Sequence, residues 1–285
     1  MENPFILYQR LLAALRPNYE AEEARAVALL VLEDAFGWSK TEVYIGKNKP
    51  FSSEQQSRFK QILQRLGEGE PVQYVLGRAL FAGRYFFVQN GVLIPRPETE
   101  DLVLWMADDL KNFNAPRIVD CGTGSGCIAI SLKLMLPQAR VEAWDISEKA
   151  LDIARKNAQN LGADVVFAQK NMDILAQEAH RFDLVVSNPP YVLENERIEI
   201  ASHVLQHEPA EALFVPDSDP LIHYRQLAES RLPLYLEINT AQAETTLQML
   251  QQYGYTDLEL RHDRFGRPRM IRANIEPIAF FAEPA

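Results

Sequence analysis

Cysteine is scarce in this chain, with two among 285 residues, Cys121 and Cys127. Their spacing fits no usual zinc or redox pattern, so two small, reduced, packed side chains are expected. The five histidines form no ligand motif; His203 and His207 stand four apart but lack the glutamate of H-E-x-x-H, and no metal is expected. Positive charge is short as well: 29 Lys and Arg face 39 Asp and Glu, a formal charge of −10. That balance argues against a phosphate backbone as the main partner, because nucleic-acid affinity rests heavily on Lys and Arg contacts. No apolar run is long enough to span a bilayer, and the start M-E-N-P lacks the basic and apolar regions of a signal peptide. A cytoplasmic protein without membrane contact is the expectation. No internal repeat or low-complexity tract is found. The 47% hydrophobic and 24% charged fractions are those of a globular chain able to bury a sizeable core in one large or two unequal domains.

What the chain does have is a glycine-rich turn. In R-I-V-D-C-G-T-G-S-G-C-I-A-I, residues 117–130, an apolar run ends at Asp120, Gly122, Gly124 and Gly126 follow at alternate positions, and helical character resumes at Cys127. This reads as strand, tight turn and helix, with glycine accepting positive φ and letting the backbone approach a ligand. Such a loop lies at a carboxyl strand end, where open α/β sheets bind nucleotide-like groups. The pattern D-x-G-x-G-x-G is neither the dinucleotide fingerprint nor a P-loop, since no Lys followed by Ser or Thr closes it. An acidic strand end suits a cationic cofactor without phosphate, such as S-adenosylmethionine. The next strand, V-E-A-W-D, ends in Asp145, 19 positions after Gly126, where an acidic side chain can accept from both ribose hydroxyls. The plainer alternative is that Asp145 caps the helix starting near Ser147. Candidate cofactor residues are therefore Gly122, Thr123, Gly124, Ser125, Gly126 and Asp145.

The chemistry is expected from N-P-P-Y, residues 188–191, which follows the apolar strand at 182–186 and so enters the same crevice. The lone pair of a planar nitrogen is delocalised, and a carboxamide nitrogen is barely basic. Two acceptors, the Asn188 side-chain oxygen and the Pro189 carbonyl, can hold both of its N–H bonds and aim the lone pair at a methyl group. Pro189 and Pro190 fix φ and remove backbone donors, keeping the acceptors rigid, and Tyr191 offers a flat ring to stack on the target. Positioning of this kind lowers a barrier by several kcal/mol in a direct displacement, and no strong general base is required. Asn188, Pro189, Pro190 and Tyr191 are thus the candidate catalytic and substrate-binding residues, and Asn188 is a candidate cofactor contact as well.

Taken together, I-P-R-P-E-T-E (94–100), D-C-G-T-G-S-G-C-I-A-I (120–130), S-N-P-P-Y (187–191), E-P-A-E-A-L (208–213) and D-R-F-G-R-P-R (263–269) resemble the bacterial protein-glutamine N-methyltransferases that modify peptide chain release factors. The matches span about two thirds of the chain in the family's order. The resemblance implies a Rossmann-like α/β methyltransferase, S-adenosylmethionine as methyl donor, and the glutamine of a Gly-Gly-Gln loop in class I release factors as target, with a role in translation termination. By the same resemblance Arg96 or Glu98 borders the pocket, Asp173 lies near the adenine amine, Met172 or Ile174 packs on its ring, and the N-terminal helices dock the substrate. Two departures from the pattern, P-D-S-D-P at 216–220 and Asn239 in place of glycine, put the local turns in question.

Residues 1–70 read as a small helical bundle. One apolar stripe comprises Phe5, Ile6, Leu7, Leu11, Leu12 and Leu15; a second helix carries Ala24, Val27, Ala28, Val31 and Ala35 and ends at Gly37; a short one follows Ser39, and Ser52 or Ser53 caps one running through Phe59, Ile62, Leu63 and Leu66. Residues 71–93 read as a hairpin linker with strand-like pieces at 74–76, 80–81 and 84–88, and residues 94–285 as the methyltransferase domain. There, strands at 141–145, 165–168, 234–238, 258–261 and 269–273 alternate with helices at 100–110, 148–161, 221–230 and 241–253, which predicts a largely parallel sheet covered on both faces, the last strand antiparallel. Residues 192–219 form a loop long enough to be functional. A monomer is expected. A ribosomal-protein glutamine methyltransferase is a close alternative; an adenine-amine methyltransferase on nucleic acid also uses Asn-Pro-Pro-Tyr on a flipped base but is expected to carry a basic region, which neither the acidic helical domain nor the charge of −10 supplies.

Overall fold

The computed structural model describes residues 1–275; residues 276–285, the end of the expected 94–285 domain, lie outside it. In chain order the helical start comprises α1 (Pro4–Leu15), α2 (Ala21–Phe36), α3 (Lys40–Ile45), α4 (Ser53–Gly67) and α5 (Val72–Leu76). Then come β1 (Arg78–Phe81), β2 (Arg84–Phe87), α6 (Pro97–Leu110), β3 (Arg117–Cys121), α7 (Cys127–Met135), β4 (Arg140–Asp145), α8 (Glu148–Leu161), β5 (Val166–Gln169), α9 (Leu175–Glu178) and β6 (Leu184–Ser187). The chain closes with β7 (Val192–Leu193), α10 (Ser202–His207), β8 (Phe214–Val215), α11 (Ile222–Ala228), β9 (Leu234–Glu237), α12 (Ala243–Gln252), β10 (Asp257–His262) and β11 (Pro268–Asn274).

Two compact units result. The first holds Met1–Arg78, Val88–Asn90 and Ile200–Glu208. Its helices begin where the sequence supplies caps: Asn3 accepts from the amides of Phe5 and Ile6 ahead of Pro4, and Ser39 with Glu42 and Ser52 with Gln55 form reciprocal capping boxes. Gly37, at φ 70°, ends α2. The core joins Leu7, Leu11 and Leu15 to Val27, Val31, Phe59, Ile62 and Leu66. Two expectations fail here. Phe5 and Ile6 are 40% and 56% exposed, because the helical period that buries Leu7, Tyr8, Leu11 and Leu15 turns them away. Residues 74–76 are helical rather than extended, since the Arg65 guanidinium donates to the carbonyls of Tyr74 and Val75 at 3.1 Å, meeting acceptors that a short helix leaves open, while it also pairs with Glu70.

The second unit holds Ala79–Phe87, Gly91–Glu199 and Pro209–Ala285, described to Ile275. Its seven-stranded sheet runs β10-β11-β9-β6-β3-β4-β5. The neighbours β9, β6, β3, β4 and β5 are all parallel, and β11 is antiparallel to both β9 and β10, as the alternation of the sequence predicts. Strand residues divide between the faces with period two: Ile118 and Val186 pack with α6, α7 and α8, while Val119 and Val185 pack with α9, α11 and α12. Burial on both faces is why these strands read as continuous apolar runs. Both cysteines are buried free thiols. Within the expected loop at 192–219, β7 and β8 form a two-stranded parallel sheet.

Candidate active site

The carboxyl ends of β3, β4 and β6 lie side by side, with Asp120 paired to Ala143 and to Val186. After β3 the chain turns through three left-handed glycines, Gly122 at φ 76°, Gly124 at 55° and Gly126 at 80°. At Gly126 a side chain has no room: its Cβ would lie 2.8 Å from Ile130 Cδ1 and 3.1 Å from Ala154 Cβ, so glycine lets α7 start tight against α8. The turn is held from inside by Asp120. That carboxylate is fully buried, and its Oδ2 accepts from Thr123 Oγ1 at 2.6 Å and from the Ala129 amide at 3.2 Å. Burial pushes its pKa from 3.8 up to about 7. On the outer side Asp145 Oδ2 accepts from the Gly124 amide and Oδ1 from the Ser147 amide, both at 2.9 Å. Ser147 itself caps α8, so the Asp145 carboxylate is aimed at the turn. Burial also raises the Asp145 pKa.

These groups border a cavity of about 780 Å³, open mouth included. Gly122, Gly124, Asp145, Met172, Asn188 and Pro190 lie in its wall, joined by Ile146, Ser147, Asn171, Glu211 and His223. Thr123, Ser125 and Gly126 stand behind the wall, where Thr123 serves Asp120 and the Ser125 carbonyl accepts from Asn157 Nδ2 at 2.9 Å. Asp173 is exposed and bonded to Asn171, and at this strand end the wall is formed by Lys170, Asn171 and Met172. Asp120, read from sequence as a cationic-cofactor partner, is likewise absent from the wall and acts as the staple of the turn. Pro189 is buried, and Tyr191 is half-buried with its hydroxyl donating to Glu237 Oε1 at 3.0 Å. Burial and the adjacent Glu237 carboxylate push the Tyr191 phenol well above its usual range. Of the segment at 94–100, Arg96 stands at the N-cap position of α6, Pro97 opens it, and Glu98 faces Arg267 at 3.6 Å.

Two polar residues of the site were not singled out in the sequence. Glu237, fully buried at the end of β9, accepts from Thr99 Oγ1 at 2.6 Å through Oε2, and Thr99 Oγ1 accepts from Asn188 Nδ2 at 3.1 Å. The signal was present: Glu237 is a carboxylate ending an apolar strand, as Asp120 and Asp145 are. Asn239, where glycine was expected, sits at φ −68° and needs no left-handed backbone; its amide donates to the Tyr191 carbonyl at 3.1 Å.

Residues 7–77 match the PrmC N-terminal domain and residues 103–216 the methyltransferase small domain. A curated relative from Bacteroides thetaiotaomicron, named release factor glutamine methyltransferase, is 44% identical over 92% of this chain and 96% of its own. One of the same name from Flavobacterium psychrophilum is 38% identical over 92% and 95%. Among solved structures, the hMettl16 catalytic domain in complex with the MAT2A 3'UTR hairpin 6 superposes with a TM-score of 0.51 over 81% of this chain and 86% of that one, at 16% identity, a likeness of fold. With identity at this level across nearly the whole length, the chain belongs to the release factor glutamine methyltransferase family.

Proposed function

We propose that this protein methylates the side-chain amide nitrogen of the glutamine in the Gly-Gly-Gln loop of class I peptide chain release factors, with S-adenosylmethionine as donor. The observation that carries the reading is Asn188 standing in the wall of the same cavity as the glycine turn and Asp145. The cavity fits the donor. Gly122 and Gly124 present backbone without side chains, Asp145 keeps lone pairs for a ribose diol beyond its two amide bonds, and Met172 and Ile146 supply apolar surface. Once bound, S-adenosylmethionine supplies an electrophilic methyl group. The protein supplies the aim: Asn188 Oδ1 and the Pro189 carbonyl accept the two N–H bonds of the target carboxamide, and the two prolines hold that pair of acceptors still. The amide nitrogen sheds its proton readily once alkylated, so no wall residue has to act as a strong base. The helical unit docks the release factor, and the enzyme works as a cytoplasmic monomer without a nucleic-acid partner.

The test is incubation with methyl-labelled S-adenosylmethionine and, in parallel, a class I release factor, a large-subunit ribosomal protein fraction and duplex DNA, read by mass spectrometry. Label confined to the Gly-Gly-Gln glutamine is expected; label on DNA or on the ribosomal fraction alone overturns the substrate assignment. Asp145→Ala is expected to weaken donor binding by roughly ten- to a hundredfold, the loss of one or two charge-assisted hydrogen bonds. Calorimetry that finds unchanged affinity removes Asp145 from the ribose role.

A further inference from the structure

We infer that Thr99 and Glu237 are positioning residues that fix which end of the Asn188 carboxamide faces the substrate; this rests on the role given to Asn188 above. A carboxamide is nearly symmetric in shape, and a half-turn about its last torsion exchanges an acceptor for a double donor at almost no steric cost. Only one orientation works. With Oδ1 at the cavity, Asn188 accepts from the target amide; with Nδ2 there, donor meets donor.

The hydrogen bonds behind Asn188 remove the ambiguity. Glu237 Oε1 takes the Tyr191 hydroxyl at 3.0 Å and Oε2 takes the Thr99 hydroxyl at 2.6 Å. A threonine hydroxyl has a single proton, and here it is given to the carboxylate. Only lone pairs remain on Thr99 Oγ1 for Asn188, so the partner across 3.1 Å has to be a donor, Nδ2. Reversing the carboxamide would set Oδ1 against those lone pairs, leaving a buried hydroxyl oxygen and an amide oxygen in contact with no proton between them. The three residues come from α6, the turn directly after β6 and β9, 89 and 138 positions apart for the two bonds of the relay, so the polarity is a property of the folded sheet. Glu237 is itself anchored. Its carbonyl accepts from the Tyr224 hydroxyl at 3.2 Å, and the next carbonyl, of Ile238, accepts from Arg269 at 3.2 Å. Burial raises the Glu237 pKa, and the two hydroxyl donors and the Arg269 charge pull it back down.

The experiment compares Thr99→Val, which keeps the shape and loses the hydroxyl, with Thr99→Ser, which keeps the hydroxyl, each in the parent and in the Asn188→Ala background. Parent activity on the release factor tests the reading of the site by itself. Thr99→Val is expected to lower kcat roughly tenfold, the loss of one positioned hydrogen bond, with donor affinity unchanged. Thr99→Ser is expected to restore turnover to within about twofold, and Thr99→Val to cost nothing further once Asn188 is Ala. A side-chain readout needs no substrate: the Asn188 NH₂ resonances, identified by their loss in Asn188→Ala, should shift in Thr99→Val and stay in place in Thr99→Ser. Unmoved resonances in Thr99→Val, full activity of Thr99→Val, or an equal loss in the Asn188→Ala background would overturn the inference.

Discussion

Asn188→Ala is expected to bind S-adenosylmethionine within about twofold of the parent and to turn over roughly 10²- to 10³-fold more slowly, the loss seen when one preorganised electrostatic partner of a transition state is removed. The size follows from what the reaction lacks. A carboxamide nitrogen is a poor nucleophile because its lone pair is shared with the carbonyl, and its proton leaves readily only after the methyl group has been transferred. Rate enhancement therefore has to come from orientation, and Asn188 Oδ1 is the side-chain acceptor that the relay from Glu237 through Thr99 turns to the cavity. The contacts proposed for the donor lie at other wall residues, the glycine turn and Asp145. Isothermal calorimetry for binding and single-turnover label transfer for chemistry separate the two. Parent-like turnover would remove Asn188 from the mechanism, and a matching collapse of donor affinity would recast it as a cofactor ligand.

The parts of this site that were legible in the sequence are those enforced by backbone geometry. Three alternating glycines after an apolar run announce left-handed turns, and Gly122, Gly124 and Gly126 all adopt them. Asp145 could be placed because a strand that ends in a carboxylate brings it to a fixed height on a parallel sheet, one strand away from the turn. Side-chain direction was less legible. Thr123, Ser125 and Gly126 belong to the motif yet serve its interior, a distinction set by which way the turn rolls over α8 and invisible in spacing. Asp120 shows the same limit: an acid ahead of the first glycine reads as a ligand for a cation, whereas tertiary packing seals it beneath the loop. The relay from Asn188 to Glu237 joins positions 89 and 138 apart, and no local pattern encodes such a pairing. In the helical unit, Arg65 overrode an extended reading of residues 74–76 by offering donors to two carbonyls, again a contact between elements.

The buried Asp120 carries a second large effect, on stability. Its folded-state pKa is raised from 3.8 to about 7, first by burial and against the pull of the Thr123 and Ala129 hydrogen bonds. The sign follows from proton counts. Between about pH 4 and pH 7 the unfolded chain has released this proton while the folded chain retains it, so stability is full below about pH 4 and declines as pH rises, by about 1.4 kcal/mol per pH unit. Across the whole window that amounts to roughly 4 kcal/mol. Asp145 and Glu237, whose pKa values burial also raises, act in the same direction. Asp120→Asn isolates the one group. The asparagine oxygen can accept from Thr123 and Ala129 as Oδ2 does, and its amide occupies the place of Oδ1, a buried atom with no hydrogen-bond partner. That mismatch is a pH-independent offset, whereas the titration is a slope. In urea denaturation the variant is therefore expected to gain on the parent as pH is raised from about 4 to about 7 and to level off above that, whatever their difference at the acid end. Parallel stability curves would mean that Asp120 is already ionised in the folded protein at acid pH, and that the glycine turn is held by a carboxylate stabilised in place rather than by one that burial keeps protonated.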